Sequence, residues 1–286
     1  MHEHIKERIK TVIANLNALP SMPEVVTRII NMVNDPNVDF KLVAEEISRD
    51  QAITTNILKI ANSAYFSKGK EIASVEKALV TLGMKEVKDI VVVAATKQVL
   101  DKPVIGYDLA KGELWKHNVA VAMLAKKIAI DKKKKNLADL VFTGGIIHDV
   151  GKTVLAIYVA STFKDLIQST VDNQITFAQA EQLLLGFDHQ EIGQIILKKW
   201  QFPESLQNIV RYHHDADDAP QSDIEAVAIV HVANTICQMA GIGIGGDGLY
   251  YELSGKAIEA TGLDDSELQH YYGITPELLK MARQIM

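Results

Sequence analysis

Cysteine, aromatic residues and basic charge are all scarce in this 286-residue sequence. Cys237 is the only cysteine, so no disulfide can form within the chain, and a reducing compartment, the cytoplasm, is the simplest expectation. Aromatic residues make up 6% of the chain, which predicts an aliphatic core. The 36 acidic residues outnumber the 30 basic ones and give a net charge of −6, which argues against a protein whose main task is to grip nucleic acid.

Long apolar runs are absent from the sequence as well. The most apolar stretches, 90–95 and 224–230, are far shorter than the roughly 18 residues of a membrane span. The charged N-terminal segment, Met1 to Arg8, has no apolar region of the signal-peptide kind. We therefore expect no association with a membrane.

Apolar residues recur at steps of three and four along nearly the whole chain, which is the period of amphipathic helices. Alternating strand patterns are nearly absent, and Val91–Val93, despite its β propensity, is interpreted as buried helix. The predicted fold class is all-α, with an N-terminal helical bundle (1–105) packed on a second helical subdomain (106–286). The later predicted helices cover 109–130, 137–148, 176–185, 189–200, 203–213 and 222–239, and Thr275-Pro276 opens a last one.

Six of the nine histidines fall on predicted helices or at their ends, and several have a carboxylate nearby. His148 and Asp149 follow an apolar helix, and imidazole and carboxylate are ligand types that hold a transition metal at neutral pH. Glu113 lies four residues before His117 and shares its helix face. Taken singly, each of these residues is more simply explained as a helix cap, a core residue or half of an ion pair. Together they are enough for a two-metal site: Glu113, His117, His148, Asp149, His189, His213 and His214.

This series resembles the HD superfamily of metal-dependent phosphohydrolases, whose signature is a histidine, a later His-Asp pair and a final aspartate. The spacing of the extra histidines is similar to that of the HD-GYP cyclic-dinucleotide phosphodiesterases. The N-terminal half, however, resembles the HDOD family, the HD-related output domain. That resemblance covers about Leu19 to Met239 and rests on Leu19–Pro23, Ala44–Tyr65, Ile72–Gly83, Leu114–Asn118 and Gly145–Lys152.

The resemblance implies an HD-like helical subdomain in a bacterial signalling protein, with signalling proteins as partners. It implies one or two divalent ions of iron, manganese, nickel or zinc. In an active site of this kind, Asp149 would bridge the ions and Lys152 would neutralise charge on a phosphate. The implied metal ligands are His117, His148, Asp149, His189, His213 and His214, with Glu113 and Asn234 as further candidates.

Two departures from the phosphodiesterase pattern argue against catalysis. The final aspartate is replaced by Asn234, a neutral and weaker ligand, and no Gly-Tyr-Pro element follows His214. The first interpretation is therefore a regulatory HDOD protein that binds metal without turnover. The second is a metal-dependent phosphohydrolase or phosphodiesterase that acts on a nucleotide or cyclic dinucleotide. A third, nucleic-acid binding through the segment Leu82–Lys85, fits poorly with the acidic net charge.

Two further segments receive no functional role at this point. The lysine run 132–135 is interpreted as a solvated loop between helices. The segment 241–248 carries five glycines but lacks the Lys-Ser/Thr ending of a phosphate-binding loop. We expect it to be a flexible connection.

Overall fold

The computed structural model describes residues 28–29, 32, 35, 37–67, 69–248 and 250–285. The predicted all-α class is confirmed: this part of the chain forms helices, three short 3₁₀ turns and one isolated bridge between Val104 and Leu109, without a strand. The segment Leu19–Pro23, which carries part of the family resemblance, lies outside these residues. No single helix within them is long and apolar enough to cross a membrane, and one bent pair, 138–156 with 159–173, meets that length and composition only when taken together.

The described part of the chain divides into two compact units. One takes in the described residues up to Gln98 together with those from Glu277 onward, and the other takes in 99–276. The predicted division lies between residues 105 and 106 and does not include the return of the C-terminal segment to the first unit. The first part of the chain forms α1 (Phe40–Ser48), α2 (Gln51–Ala61), α3 (Ala64–Ser67), α4 (Val75–Leu82) and α5 (Met84–Leu100).

Short polar side chains fix the starts of these early helices. Asp39, Asp50 and Ser74 each accept a hydrogen bond from a backbone N–H in the first turn of α1, α2 and α4, which satisfies a donor that has no partner within the helix. Gly83 separates α4 from α5 with a φ of 90°, a conformation that favours glycine. The valine run 91–93 is buried within α5, as expected.

All seven later helices that the sequence predicts are present, with their bounds moved by four residues at most. The predictions do not include α8, α13 or α14. The remaining helices are α6 (Glu113–Asp131), α7 (Ala138–Ile147), α8 (Lys152–Asn173), α9 (Phe177–Leu185), α10 (His189–Lys199), α11 (Glu204–Tyr212), α12 (Ile224–Met239), α13 (Gly255–Thr261), α14 (Asp265–Gly273) and α15 (Thr275–Ile285).

Helix α6 is the centre of the 99–276 unit. Trp115, Val119 and Leu124 have no exposed surface, because α7 and α12 both pack along this helix. A Cβ at Gly145 of α7 would lie 2.6 Å from the Cα of Ala122, so the missing side chain lets the two backbones approach closely. This packing brings the residues that follow α7 next to the first turns of α6.

The expectation that the lysine run is solvated is wrong for two of its members. Lys132 Nζ donates a hydrogen bond to Gly262 O at 2.6 Å and lies 2.9 Å from Glu267 Oε1. Lys134 Nζ donates to Ala260 O at 2.8 Å. These carbonyls lie at the C-terminal end of α13, where the helix dipole favours positive charge. Lys132 and Lys134 therefore bind the C-terminal end of α13 and do not form a solvated basic surface.

Candidate metal centre

The structure brings five of the predicted ligand histidines together around one carboxylate, Asp149. They form two groups that share Asp149, and within each group the potential ligand atoms lie within 4.8 Å of one another. We call them the first group, His117, His148 and Asp149, and the second group, Asp149, His189, His213 and His214.

Helix ends and one tight turn place these side chains. His148 ends α7, Asp149 lies in the turn before α8, and His189 opens α10. A Cβ at Gly151 would overlap the backbone oxygen of His189, so only glycine lets this turn approach the start of α10 so closely. Asp188 caps α10 by accepting a hydrogen bond from Glu191 N at 2.8 Å, which fixes the helix start that carries His189.

Each of four histidines has one ring nitrogen held by an acceptor. Carbonyl and carboxylate oxygens only accept hydrogen bonds, so Nδ1 carries a proton in each. The Nε2 atoms of His148, His189 and His213 have no hydrogen-bond partner. This is the usual arrangement of a metal-binding imidazole whose outer nitrogen is oriented by a second residue. The Nδ1 partners are Ile242 O for His117, Gly145 O for His148 and Val210 O for His213, all at 2.8 Å, and Glu181 Oε2 for His189, at 2.7 Å.

The four Nε2 atoms converge on Asp149. Those of His189 and His213 each lie 3.5 Å from Oδ1, and those of His148 and His117 lie 3.3 and 3.9 Å from Oδ2. Four buried atoms here have no hydrogen-bond partner: Oδ1 of Asp149 and Nε2 of His148, His189 and His213. Leaving such a polar group unsatisfied costs about 1–3 kcal/mol. A divalent transition metal accepts this donor set, so the residues present fit a metal ion.

The protonation states also suit a metal. Burial lowers the pKa of His117 to about 4 and that of His213 to about 3, and it holds the pKa of His214 well below its usual value. These imidazoles are therefore neutral at pH 7. Burial would raise the pKa of Asp149, but neighbouring His148 and Lys152 hold it well below its usual range, so the carboxylate is ionised.

Lys152 is buried between two carboxylates. Its Nζ lies 2.7 Å from Asp149 Oδ2 and 2.5 Å from Asp247 Oδ2. Burial alone would lower the pKa of Lys152, but these two carboxylates raise it above the usual value, so the ammonium group is charged. Asp247 belongs to the glycine-rich segment 241–248, which also supplies the oxygen of Ile242 to His117. That segment is therefore part of the wall of the centre, a role that its sequence does not predict.

Glu181 is a second buried carboxylate that the sequence predictions do not include. It has no exposed surface; its Oε2 accepts hydrogen bonds from the backbone N of His189 at 3.0 Å and from the ring at 2.7 Å. Its Oε1 accepts a hydrogen bond from the hydroxyl of Tyr107. One sequence signal could have found it, because Glu181 lies four residues from both Phe177 and Leu185, on the apolar face of α9.

Three other residues near the histidines, Glu113, Asn234 and His231, have different surroundings in the structure. Glu113 is not brought to the centre: its side chain is 38% exposed and pairs with Lys116. Asn234 does lie beside the first group, with its Oδ1 2.9 Å from His117 Nε2. His231 is bonded at both ring nitrogens, since Nδ1 donates to His213 O at 2.8 Å and Nε2 accepts from Ser254 N at 3.1 Å.

Two cavities adjoin the second group. One of about 10 Å³ touches His189, His214 and Asp247, which is room for about one water molecule. The other, of about 190 Å³, touches His214 and His231 and has no lysine or arginine among its lining residues. Its acidic lining residues are Asp215, Asp217, Asp218 and Glu252.

A comparison of the chain with protein-family models agrees with the resemblance to the HDOD family. The family model of the HDOD domain matches residues 19–216. The chain belongs to the HDOD family. This HDOD chain is 22% identical over 219 residues to an uncharacterized protein of Treponema pallidum (strain Nichols), a match that covers 77% of the chain but 42% of that relative. The chain thus spans less than half the length of this curated relative.

Solved structures show the same fold. An HDOD domain protein of unknown function from Geobacter sulfurreducens superimposes with a TM-score of 0.78 at 25% identity over 98% of both chains. A protein of Shewanella amazonensis SB2B, provisionally named a phosphohydrolase, gives a TM-score of 0.67 at 23% identity over 96% of this chain and 98% of that one. The second likeness concerns the fold alone.

Proposed function

We propose that this HDOD protein holds a divalent transition metal around Asp149 and acts as a regulatory module for signalling proteins, without turnover of a phosphoester. One observation carries the proposal: the unpartnered Nε2 atoms of His148, His189 and His213 are buried around Asp149. Iron, manganese, nickel and zinc are all compatible with imidazole and carboxylate ligands. The bound ion would link the ends of α7, α10 and α11.

The surroundings of the centre argue against hydrolysis. The cavity that touches His189 and His214 holds about 10 Å³, far less than a phosphoester needs. The larger neighbouring cavity is lined by carboxylates, which repel an anionic substrate. Lys152, the predicted phosphate partner, is engaged with Asp149 and Asp247.

The test is elemental analysis of untagged protein, purified without chelator, as wild type, Asp149→Asn and His270→Gln. We expect bound metal in the wild type and its loss in Asp149→Asn, which removes the shared charge. His270 is exposed and outside both ligand groups, so His270→Gln should keep the metal. Failure of the wild type to bind iron, manganese, nickel or zinc after reconstitution would reject a metal-holding role.

The second candidate, a phosphohydrolase, is favoured by the shared position of Asp149 between two ligand groups. Two metal ions bound there would acidify water and polarise a phosphoryl oxygen. Asp149, His148 and His189 would hold such ions, while Lys152 would balance charge. Asn234→Asp should then raise hydrolysis of a cyclic dinucleotide or of bis(4-nitrophenyl) phosphate by metal-loaded protein. Hydrolysis by the wild type that disappears in Asp149→Asn would replace the regulatory proposal with this one.

A further inference from the structure

We infer that the centre takes a single divalent ion, held by the second group, and that Lys152 occupies the place of a second cation beside Asp149. The inference rests on the proposed function, because it concerns the same metal centre. It specifies how many ions the centre holds and which histidines hold them.

Buried charge sets the number of ions. Four charged side chains contact the histidines or one another within the centre, and their exposed fractions are 1% for Asp149, 0% for Glu181, 8% for Asp247 and 2% for Lys152. An imidazole that binds a metal ion is neutral, so three carboxylates and one ammonium contribute a formal net charge of −2. Buried charge is tolerated when it is compensated. One divalent ion brings the centre to neutrality, whereas two would leave an excess of positive charge.

The two oxygens of Asp149 show where that ion belongs. Oδ2 already has a cationic partner, since Lys152 Nζ lies 2.7 Å away. Oδ1 has none, and the Nε2 atoms of His189 and His213, also unpartnered, each lie 3.5 Å from it. Three unsatisfied ligand atoms therefore face one another in the second group. In the first group only one histidine nitrogen, His148 Nε2, is unpartnered, and the oxygen of Asp149 that it faces, Oδ2, is already bonded to Lys152.

Asn234 is a second feature that distinguishes the first group from the second. Its amide lies 2.9 Å from His117 Nε2, the ring nitrogen left without a proton by the contact of Nδ1 with Ile242 O. Amide oxygen and nitrogen exchange places by a half turn, after which the NH₂ group donates a hydrogen bond to this lone pair. An aspartate could not do so. Lys152 and Asn234 thus satisfy Asp149 Oδ2 and His117 without an ion.

The experiment counts ions in the full chain by elemental analysis and by equilibrium dialysis with Mn²⁺. We expect about one ion per chain in the wild type and in His117→Gln. His213→Gln and His214→Gln should lose it. The double variant Lys152→Met/Asn234→Asp changes the buried net charge from −2 to −4 and should take about two ions. Electron paramagnetic resonance of bound Mn²⁺ should change from an isolated signal to a spin-coupled one in this variant.

The possible results test the single-ion inference separately from the proposal that the protein holds a metal. Two ions in the wild type would overturn it, as would one ion that His117→Gln loses but His213→Gln and His214→Gln keep. A double variant that still holds one ion would refute the role of Lys152 and Asn234. All three results leave a metal-holding protein. A wild type that binds no metal refutes both ideas. Circular dichroism checks that each variant folds. If His213→Gln does not fold, the metal content of His214→Gln decides, because His214 is the more exposed residue.

Discussion

The carboxylate of Glu181 is the buried group that sets the orientation of His189. It accepts from both the backbone and the ring of that histidine and is itself held by Tyr107. Residues that orient a metal ligand in this way typically change metal affinity about 10–100-fold when mutated. Glu181→Gln should weaken metal binding by that order, measured by competition with a chelator, and should shift the absorption bands of bound Co²⁺. Gln182→Glu, on the exposed side of the same helix, is the matched control.

Unchanged affinity in folded Glu181→Gln would mean that the ring of His189 needs no anionic partner. Tyr107→Phe removes a single hydrogen bond to the same carboxylate. Its effect should be in the same direction and smaller.

Glu46 gives the first unit a pH-dependent stability. Hydrogen bonds and charge from Arg28, with a further contribution from Arg49, lower its pKa below the usual 4.5, and the guanidinium nitrogens lie 2.7 Å from its oxygens. A lowered pKa means that the folded state favours the ionised form. The resulting stability is present above pH 4.5 and is lost as the pH falls through the lower folded-state value.

Glu46→Gln should therefore unfold at lower urea concentration than the wild type at pH 7, and the difference should shrink at pH 3. Exposed Glu45→Gln should show no comparable loss at pH 7. A difference that is the same at both pH values would show that Glu46 acts by packing rather than by charge.

Residue type and order could predict the ligand candidates, but not the residues that orient them. His117, His148, Asp149 and the later histidines could be found because metals select imidazole and carboxylate. Tyr107 and Glu181 are 74 residues apart, so their contact depends on how the turn before α6 meets α8 and α9. Glu113 shows the reverse error: the right residue type on the predicted face forms a surface ion pair instead.

At the scale of elements, the turn from α7 to α8 sets how closely α10 can approach. A Cβ at Gly151 would overlap His189 O and lie 2.8 Å from Gly193 N, and backbone atoms cannot move aside as a flexible side chain can. Gly151→Ala should lower the free energy of unfolding by about 1–3 kcal/mol, as overpacking does, in urea unfolding of the metal-free protein.

Gly255, at the start of α13, has open space around the position of a Cβ. Gly255→Ala should leave stability unchanged or raise it by up to about 1 kcal/mol, because alanine favours a helix. Equal stability of Gly151→Ala and Gly255→Ala would show that the turn at Gly151 can accommodate a Cβ.

Helices could be predicted because their apolar period is local, whereas connections could not. Segments with strong periodicity, such as α10 and α12, end within two residues of their predicted bounds. The lysine run and the glycine-rich segment were assigned by composition, which says nothing about the surfaces that meet them. The hydrogen bonds of Lys132 to the end of α13 and of Lys152 to Asp247 depend on how the helices pack.

At the scale of the whole molecule, all residues of both ligand groups lie within one compact unit, 99–276. A ligand that binds only the folded state stabilises it, by about 2.7 kcal/mol at a concentration 100 times its Kd. The proposed metal ion would contact residues at the ends of α7, α10 and α11, so it should suppress local opening there first. We therefore expect hydrogen exchange with and without Mn²⁺ to show added protection in α6, α7 and α10 to α12, and none in α1 to α4. Asp149→Asn should remove the added protection. Equal protection in α1 to α4 would show that the ion stabilises both units, and that stability is shared between them rather than confined to the unit that carries the ligands.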